Sequence, residues 1–172
     1  MAWWDVAEIT GDPALRDAYL AMVEYAVTKH ACFLREAADR SDAMDRLHAY
    51  AYFLEGLLPV IERPECRQVV SQGVASMERV YDETALTFVR SDVCAQLMRA
   101  RLFLSEGTGG EDRRRYIDFQ AQSDDPRIDG GFYFGRRDGK ISPQVNPVST
   151  VFAMQALQMQ ADGNAPCRKM LI

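Results

Sequence analysis

The sequence predicts an all-α protein built from helical hairpins, with one small β-hairpin before the last helix. Three observations predict this fold class. Apolar residues recur at helical spacing over most of the 172-residue chain. Proline and short polar residues stand where the helices would begin. Only the segment FYFGRRDGKI has the pattern of two short strands joined by an Asp-Gly turn.

The composition excludes several classes of function. With 48% hydrophobic and 26% charged residues, we expect one globular domain over 1–172. The net charge of -5 disfavours nucleic acid or an anionic membrane as a partner. The chain has no apolar run of ~20 residues and no signal-peptide pattern, so we expect a cytoplasmic protein. The four cysteines form no CxxC pair, and no cofactor motif is present, so we expect no metal and no cofactor.

The first three helices are predicted from their start signals. Asp12 is the predicted N-cap of the first helix, with Pro13 at its first position, and the helix should run to about Ala38. Asp42 is the predicted N-cap of the second, whose apolar residues cover most of its circumference, as in a helix buried nearly all round. Pro64 opens a third helix with one apolar stripe, typical of an outer helix. The stripe consists of Val69, Val70, Val74, Met77 and Tyr81.

The alternation of buried and outer helices continues to the C-terminus. Ser91 is the predicted cap of a fourth helix, which the glycine-rich segment 107–110 should end. A shorter polar helix is expected over 110–122. The β-hairpin then leads through Asn-Pro into a final helix over 147–161, and residues 162–172 should form a loose tail.

Three of the predicted helices resemble one another. Aligning Ala51, Ala95 and Ala153 also brings Ser91 onto Ser149. The two intervals between the alanines are about 44 and about 58 residues, within or slightly beyond the period of helical-hairpin repeats. The longer interval exceeds the shorter by about the length of the β-hairpin. The hairpin is therefore predicted to be an insertion between an outer and an inner helix.

Alternating inner and outer helices with such a repeat resemble an α/α toroid. The GGF turn before NPVSTVFAMQAL is similar to connections in this superfold, and RLHAYAYFLEGLL resembles an inner helix of its sugar-active branch. The superfold includes six-hairpin glycosidases, polysaccharide lyases, sugar epimerases, terpenoid cyclases and protein prenyltransferases. With about three hairpins, the chain would form part of a toroid. We then expect a homo-oligomer, or a segment of a longer chain, to cover the open apolar face.

The resemblance implies a saccharide site at the mouth formed by the loops and the inner-helix ends, and hence a glycoside hydrolase, lyase or epimerase. Cleavage of a glycosidic bond needs two carboxyl groups, one with a raised pKa. The candidate catalytic residues are Glu55, Asp92 and Asp129. The candidate substrate-binding residues are His48, Tyr50, Tyr52, Arg90, Gln96, Tyr133 and Asn146.

Three of these candidates share one face of the second helix. His48, Tyr52 and Glu55 stand at intervals of four and three residues. A structural explanation competes with the functional one, because His48 and Glu55 could satisfy each other, and Asp92 could serve the helix dipole. A Glu55 carboxylate facing a cavity would favour the sugar enzyme. A Glu55 sealed in a salt bridge would contradict it.

The alternative hypothesis is a non-catalytic helical interaction domain that completes its core by self-association or by docking on a partner. It predicts a large apolar interface, and a compact monomer without a sizeable exposed apolar patch would count against it. A third hypothesis, an isoprenoid-type site at the toroid centre, is supported only by the short acidic segment SDDP.

Overall fold

The computed structural model describes residues 2–33, 40–104 and 117–162. This part of the chain is mostly helical with one small sheet, so the coarse fold class is confirmed. The helices are α1 (Ala2–Thr10), α2 (Pro13–Lys29), α3 (Arg40–Gly56), α4 (Pro64–Thr84), α5 (Ser91–Phe103) and α6 (Pro147–Asp162). The strands are β1 (Phe88–Arg90), β2 (Gly135–Arg137) and β3 (Lys140–Ile141). Within these ranges, no helix combines the length and apolar character needed to cross a membrane.

Helix α5 lies at the centre of the fold. Its residues 91–100 are all buried, and it packs against α3, α4, α6 and β1. Arg90, directly before α5, binds Asp45 near the start of α3. Arg99, near the end of α5, binds Glu55 near the end of α3. Because these contacts join start to start and end to end, α3 and α5 run parallel.

Helix α6 begins at the same end of the molecule as α5. The Ser91 hydroxyl donates to the Tyr133 carbonyl at 2.6 Å, and the backbone N–H of Phe132 donates to the Thr150 hydroxyl at 2.9 Å. Both helices therefore start beside the segment that leads into β2. Arg99 then reaches Gln155 further along α6, so α5 and α6 are also parallel.

Helix α4 runs in the opposite direction. Its Tyr81 hydroxyl lies 3.1 Å from the sulfur of Cys94, near the start of α5. Its Glu78, one turn earlier, binds Arg101 near the end of α5 at 2.6 Å. The parallel helices α3 and α5 are thus connected through an antiparallel α4. All five residues of the apolar stripe of α4 are buried, as the sequence predicts.

Three of the predicted helix starts are confirmed, one of them at Pro64, the first residue of α4. The Asp12 carboxylate accepts from the backbone N–H of Ala14 at 2.9 Å, and Pro13 is the first residue of α2. The Asn146 side chain accepts from the backbone N–H of Ser149 at 3.0 Å at the start of α6. The predicted final helix over 147–161 agrees with α6 within one residue.

Other predicted boundaries are wrong. Helix α2 ends at Lys29 and continues as the short 3-10 helix His30–Cys32, well before Ala38, which lies outside the described residues. Asp42 is no N-cap, since α3 begins at Arg40 and places Asp42 in its first turn, where a carboxylate favours the helix dipole.

The prediction for the start of α5 is also corrected. Arg90 occupies the N-cap position without a side-chain cap, and Ser91 is already helical. Its hydroxyl is committed to the carbonyls of Tyr133 and Phe134 instead. Of the predicted polar helix over 110–122, residues 110–116 lie outside the described residues and Ile117 is helical, but 118–119 form a turn and Gln120 makes an isolated bridge with Phe132. The segments 107–110 and 163–172 lie outside the described residues.

The predicted β-hairpin is confirmed and gains a third strand. Strands β2 and β3 pair antiparallel around Asp138 and Gly139, which both have positive φ angles, 48° and 76°. This is the conformation of a two-residue hairpin turn. Strand β1, which no sequence signal predicted, pairs antiparallel with β2 and places Arg90 opposite Gly135. The sheet therefore holds the starts of α5 and α6 together.

Candidate functional site

Most of the candidate residues lie along the contact between α3 and α5. The stripe His48, Tyr52 and Glu55 of α3 faces a stripe of α5 with the same spacing, because the two helices run parallel. The α5 stripe consists of Asp92, Gln96 and Arg99. We call these two stripes together the α3–α5 seam. Arg99 was not among the predicted site residues.

The outer end of the seam is a network centred on Arg90. Its guanidinium binds both oxygens of Asp92, at 3.0 and 2.7 Å, and Asp45 at 2.5 Å, and it lies 4.9 Å above the ring of Phe134. Burial by itself lowers the pKa of Arg90. The hydrogen bonds and charges of Asp92 and Asp45 raise this pKa by more than burial lowers it, so the net direction is upward. The Asp92 carboxylate is only 2% exposed and has this cation as its partner.

His48 occupies the middle of the seam. Its Nδ1 lies 2.8 Å from Oε1 of Gln96 and 3.9 Å from the Asp92 carboxylate. The edge of its ring meets the ring of Tyr52 at 4.8 Å, and Phe152 of α6 lies beyond at 6.3 Å. The side chain of His48 is 20% exposed and Tyr52 is 43% exposed. This is where the seam meets the solvent.

The inner end of the seam is a buried ion pair. The Arg99 guanidinium donates to Glu55 of α3 and to Gln155 of α6, and it lies 4.3 Å above the ring of Phe152. Burial raises the pKa of Glu55, while the Arg99 charge, its hydrogen bond and the nearby Gln96 amide lower it; the net direction is upward. Burial also lowers the pKa of Arg99, against the effect of Glu55. Glu55 is sealed in a salt bridge, which counts against it as a catalytic acid.

The seam retains hydrogen-bonding capacity. Three buried atoms, Oε2 of Glu55, Nε2 of Gln96 and Nε of Arg99, make no hydrogen bond of ordinary geometry to the described residues. Buried polar groups generally have such a partner. The unused atoms include two donors and one acceptor, so this region is suited to polar rather than apolar groups.

The remaining candidates have structural roles outside the seam. Asp129 lies in an exposed loop and accepts from the backbone N–H of Ser123 at 3.0 Å. Tyr50 projects from another face of α3, where its hydroxyl lies 3.1 Å from Nδ1 of His30. Asn146 caps α6. Tyr133 contacts the start of α5 through its backbone carbonyl, which accepts from the Ser91 hydroxyl. The predicted site residues thus divide between the seam and the framework around it.

A separate feature is an apolar face on α1 and α2. Trp3 is 52% exposed, Met22 58% and Tyr25 68%. Trp3 and Met22 line an open groove of about 330 Å³, together with Phe53 and Leu57. Tyr25 follows Met22 after one turn of α2. We call the exposed residues of this region the α1–α2 face.

In the described ranges, no three His, Cys, Asp or Glu side chains are grouped closely enough to hold a metal ion. No family model, curated protein or solved structure matches the chain.

Proposed function

We propose that the chain is a helical interaction domain that pairs with a second copy of itself through the α1–α2 face. The observation that carries this proposal is the cluster of large apolar side chains exposed on α1 and α2. Monomeric proteins rarely expose contiguous apolar patches of this kind, and such patches mark interaction sites. The Glu55–Arg99 ion pair adds support, since it engages one of the three predicted catalytic residues.

A second copy is a suitable occupant because α1 and α2 form a helical hairpin. Two such hairpins, related by a two-fold axis, can bury their apolar faces as a four-helix contact. Met22 and Tyr25 would then lie in the interface of both copies. The apolar groove beside Trp3 would receive side chains from the partner hairpin.

This proposal includes a relationship to the α/α toroids. Parallel helices α3, α5 and α6, with α4 antiparallel between the first two, support a hairpin array of that type. Ala51, Ala95 and Ala153, which align in the sequence repeat, are at most 3% exposed, as expected of corresponding positions on inner helices. An array of this type needs a neighbour to cover its terminal hairpin.

Light scattering over a range of protein concentrations tests self-association. We expect a dimer of the unaltered chain and a monomer for Met22→Glu, because the new charge would be buried in the interface. Met154→Glu is the matched control, since Met154 is also a helical methionine and is 61% exposed, but on α6. It should remain dimeric. A monomer at all concentrations, or equal dissociation of both variants, would contradict the proposal.

A second candidate function is saccharide binding at the solvent-exposed part of the α3–α5 seam. The specific observation is the exposed ring of Tyr52 beside His48 and Phe152, close to the Asp92–Arg90 pair. Apolar rings with a few oriented polar groups are typical of small-molecule sites. Since Glu55 and Asp92 each bind an arginine, we propose binding here without a two-carboxylate hydrolysis.

Thermal denaturation with neutral oligosaccharides and uronates tests this candidate. A ligand that binds only the folded chain raises its Tm. We expect the increase to be lost in Tyr52→Ala and retained in Tyr25→Ala, a control at another exposed tyrosine, on α2. The absence of any increase in the unaltered chain would remove the candidate.

A further inference from the structure

The two histidines of the chain have different surroundings. Nδ1 of His30 lies 3.1 Å from the Tyr50 hydroxyl, which can donate or accept. Nδ1 of His48 faces two acceptors, the Gln96 Oε1 at 2.8 Å and the Asp92 carboxylate at 3.9 Å. A neutral imidazole carries its proton on one nitrogen only. Facing acceptors place the His48 proton on Nδ1.

The orientation of the Gln96 amide supports the assignment of the His48 proton to Nδ1. Its oxygen Oε1 lies 2.8 Å from Nδ1 of His48, so Nε2 is turned away from the imidazole, and the amide as a whole lowers the pKa of the nearby Glu55 carboxylate. Gln96 is fully buried, and its two neighbours therefore determine which way it points. A reversed amide would place its oxygen towards a carboxylate.

We propose that Nε2 of His48 is the hydrogen-bond acceptor that the α3–α5 seam offers to a hydroxyl-bearing ligand, with the imidazole held as the Nδ1–H tautomer by Gln96. No hydrogen bond to the described residues uses Nε2, and the side chain is 20% exposed. Asp92 and Gln96 are positioning residues. This role rests on the saccharide-binding candidate for its ligand and is independent of self-association.

The site can hold a ligand hydroxyl without any bond being broken. The hydroxyl donates a hydrogen bond to Nε2 and keeps its proton, while Nδ1–H donates to Oε1 of Gln96, with the Asp92 carboxylate 3.9 Å away. Other charged groups of this network are Arg90 before α5 and Asp45 on α3. From α6, the aromatic ring of Phe152 faces the imidazole.

Long-range proton–nitrogen NMR of 15N-labelled protein tests the tautomer directly. With only two imidazoles, His30→Asn assigns both sets of signals. We expect His48 to show Nδ1 as the protonated nitrogen and Nε2 as the unprotonated one. Gln96→Leu removes the acceptor and should shift the population towards Nε2–H. An Nε2–H tautomer in the unaltered chain would overturn the assignment, whatever the stability of the variant.

Access to Nε2 is tested by chemical modification and by ligand titration. Diethyl pyrocarbonate acylates unprotonated imidazole nitrogen, and we expect mass spectrometry to find His48 modified in the folded chain, and modified several-fold more slowly in Gln96→Leu. Titration with D-glucose and with glucuronate should move the His48 Nε2 signal and not those of His30. An unreactive His48 would refute access. A His48 signal that neither sugar moves would refute the ligand role.

Discussion

Glu55 of α3 and Arg99 of α5 form an ion pair in which the side chains are 2% and 0% exposed. The same guanidinium binds Gln155, so Arg99 connects all three parallel helices. Removing two charges from water is costly, and their attraction offsets that cost only while both are present. The pair is therefore expected to secure the relative positions of the helices more than to add net stability.

Replacing Arg99 by methionine tests this role. Arg99→Met leaves the Glu55 carboxylate buried without its cation, and we expect a loss of about 3–5 kcal/mol in the free energy of unfolding. The double variant Glu55→Leu, Arg99→Met removes both charges and should recover most of that loss. Urea denaturation of the two variants and the unaltered chain measures the difference.

The exposed pair Arg63–Glu65, joined at 2.7 Å, provides the control for this experiment. Arg63→Met should change the stability by about 0.5 kcal/mol or less, because exposed pairs contribute little. If the double variant were as unstable as Arg99→Met, the loss would come from packing against Phe152. The account based on charge would then be wrong.

Tyr50 should make the stability depend on pH in alkaline solution. Burial raises its pKa to about 12, from 10.0. Because the pKa of Tyr50 is higher in the folded chain than in the unfolded one, neutral Tyr50 contributes to the free energy of unfolding. This contribution is complete below pH 10 and is lost as the pH rises from about 10 to about 12. Tyr50→Phe should flatten the decline in this range. Denaturant titrations between pH 9 and 12 measure it, and identical slopes in both proteins would contradict the prediction.

The sequence signals that succeeded are local ones. Pro13 and Asp12 mark α2, Asn146 marks α6, and Asp138 with Gly139 marks the hairpin turn, because each acts on backbone within a few residues. Strand β1 has no such signal. Its three residues become a strand only by pairing with β2, a partner distant in the sequence.

The same distinction applies to the seam. Helical spacing placed His48 and Glu55 on one face, and it also excludes Tyr50 from that face, since each residue turns the helix by about 100°. Arg99 follows Asp92 and Gln96 at helical spacing, which is the signal that could have identified it. Its partner, however, lies on another helix, and no spacing within α5 specifies how α3 and α5 are aligned.

Asn146 should contribute to stability as the cap of α6. Its side chain satisfies the Ser149 N–H, one of the donors that a helix start leaves without a partner. Asn146→Ala is expected to cost about 0.5–2 kcal/mol, and Asn146→Asp should retain most of the stability. Thermal denaturation followed by circular dichroism compares the variants. Equal losses for both would show that the capping oxygen is not what stabilises α6.

Gly135 should be the most sensitive glycine of the sheet. A Cβ atom at this position would lie 2.2 Å from the carbonyl oxygen of Val89 in β1, too close for the two strands to remain paired. The backbone would have to separate, so Gly135→Ala is expected to destabilise the chain by more than about 2 kcal/mol. Gly56→Ala is the control, because a Cβ there meets nothing within 4 Å. Chemical denaturation should leave this control near the unaltered chain, and a Gly135→Ala variant of equal stability would show that β1 and β2 do not pair in this register.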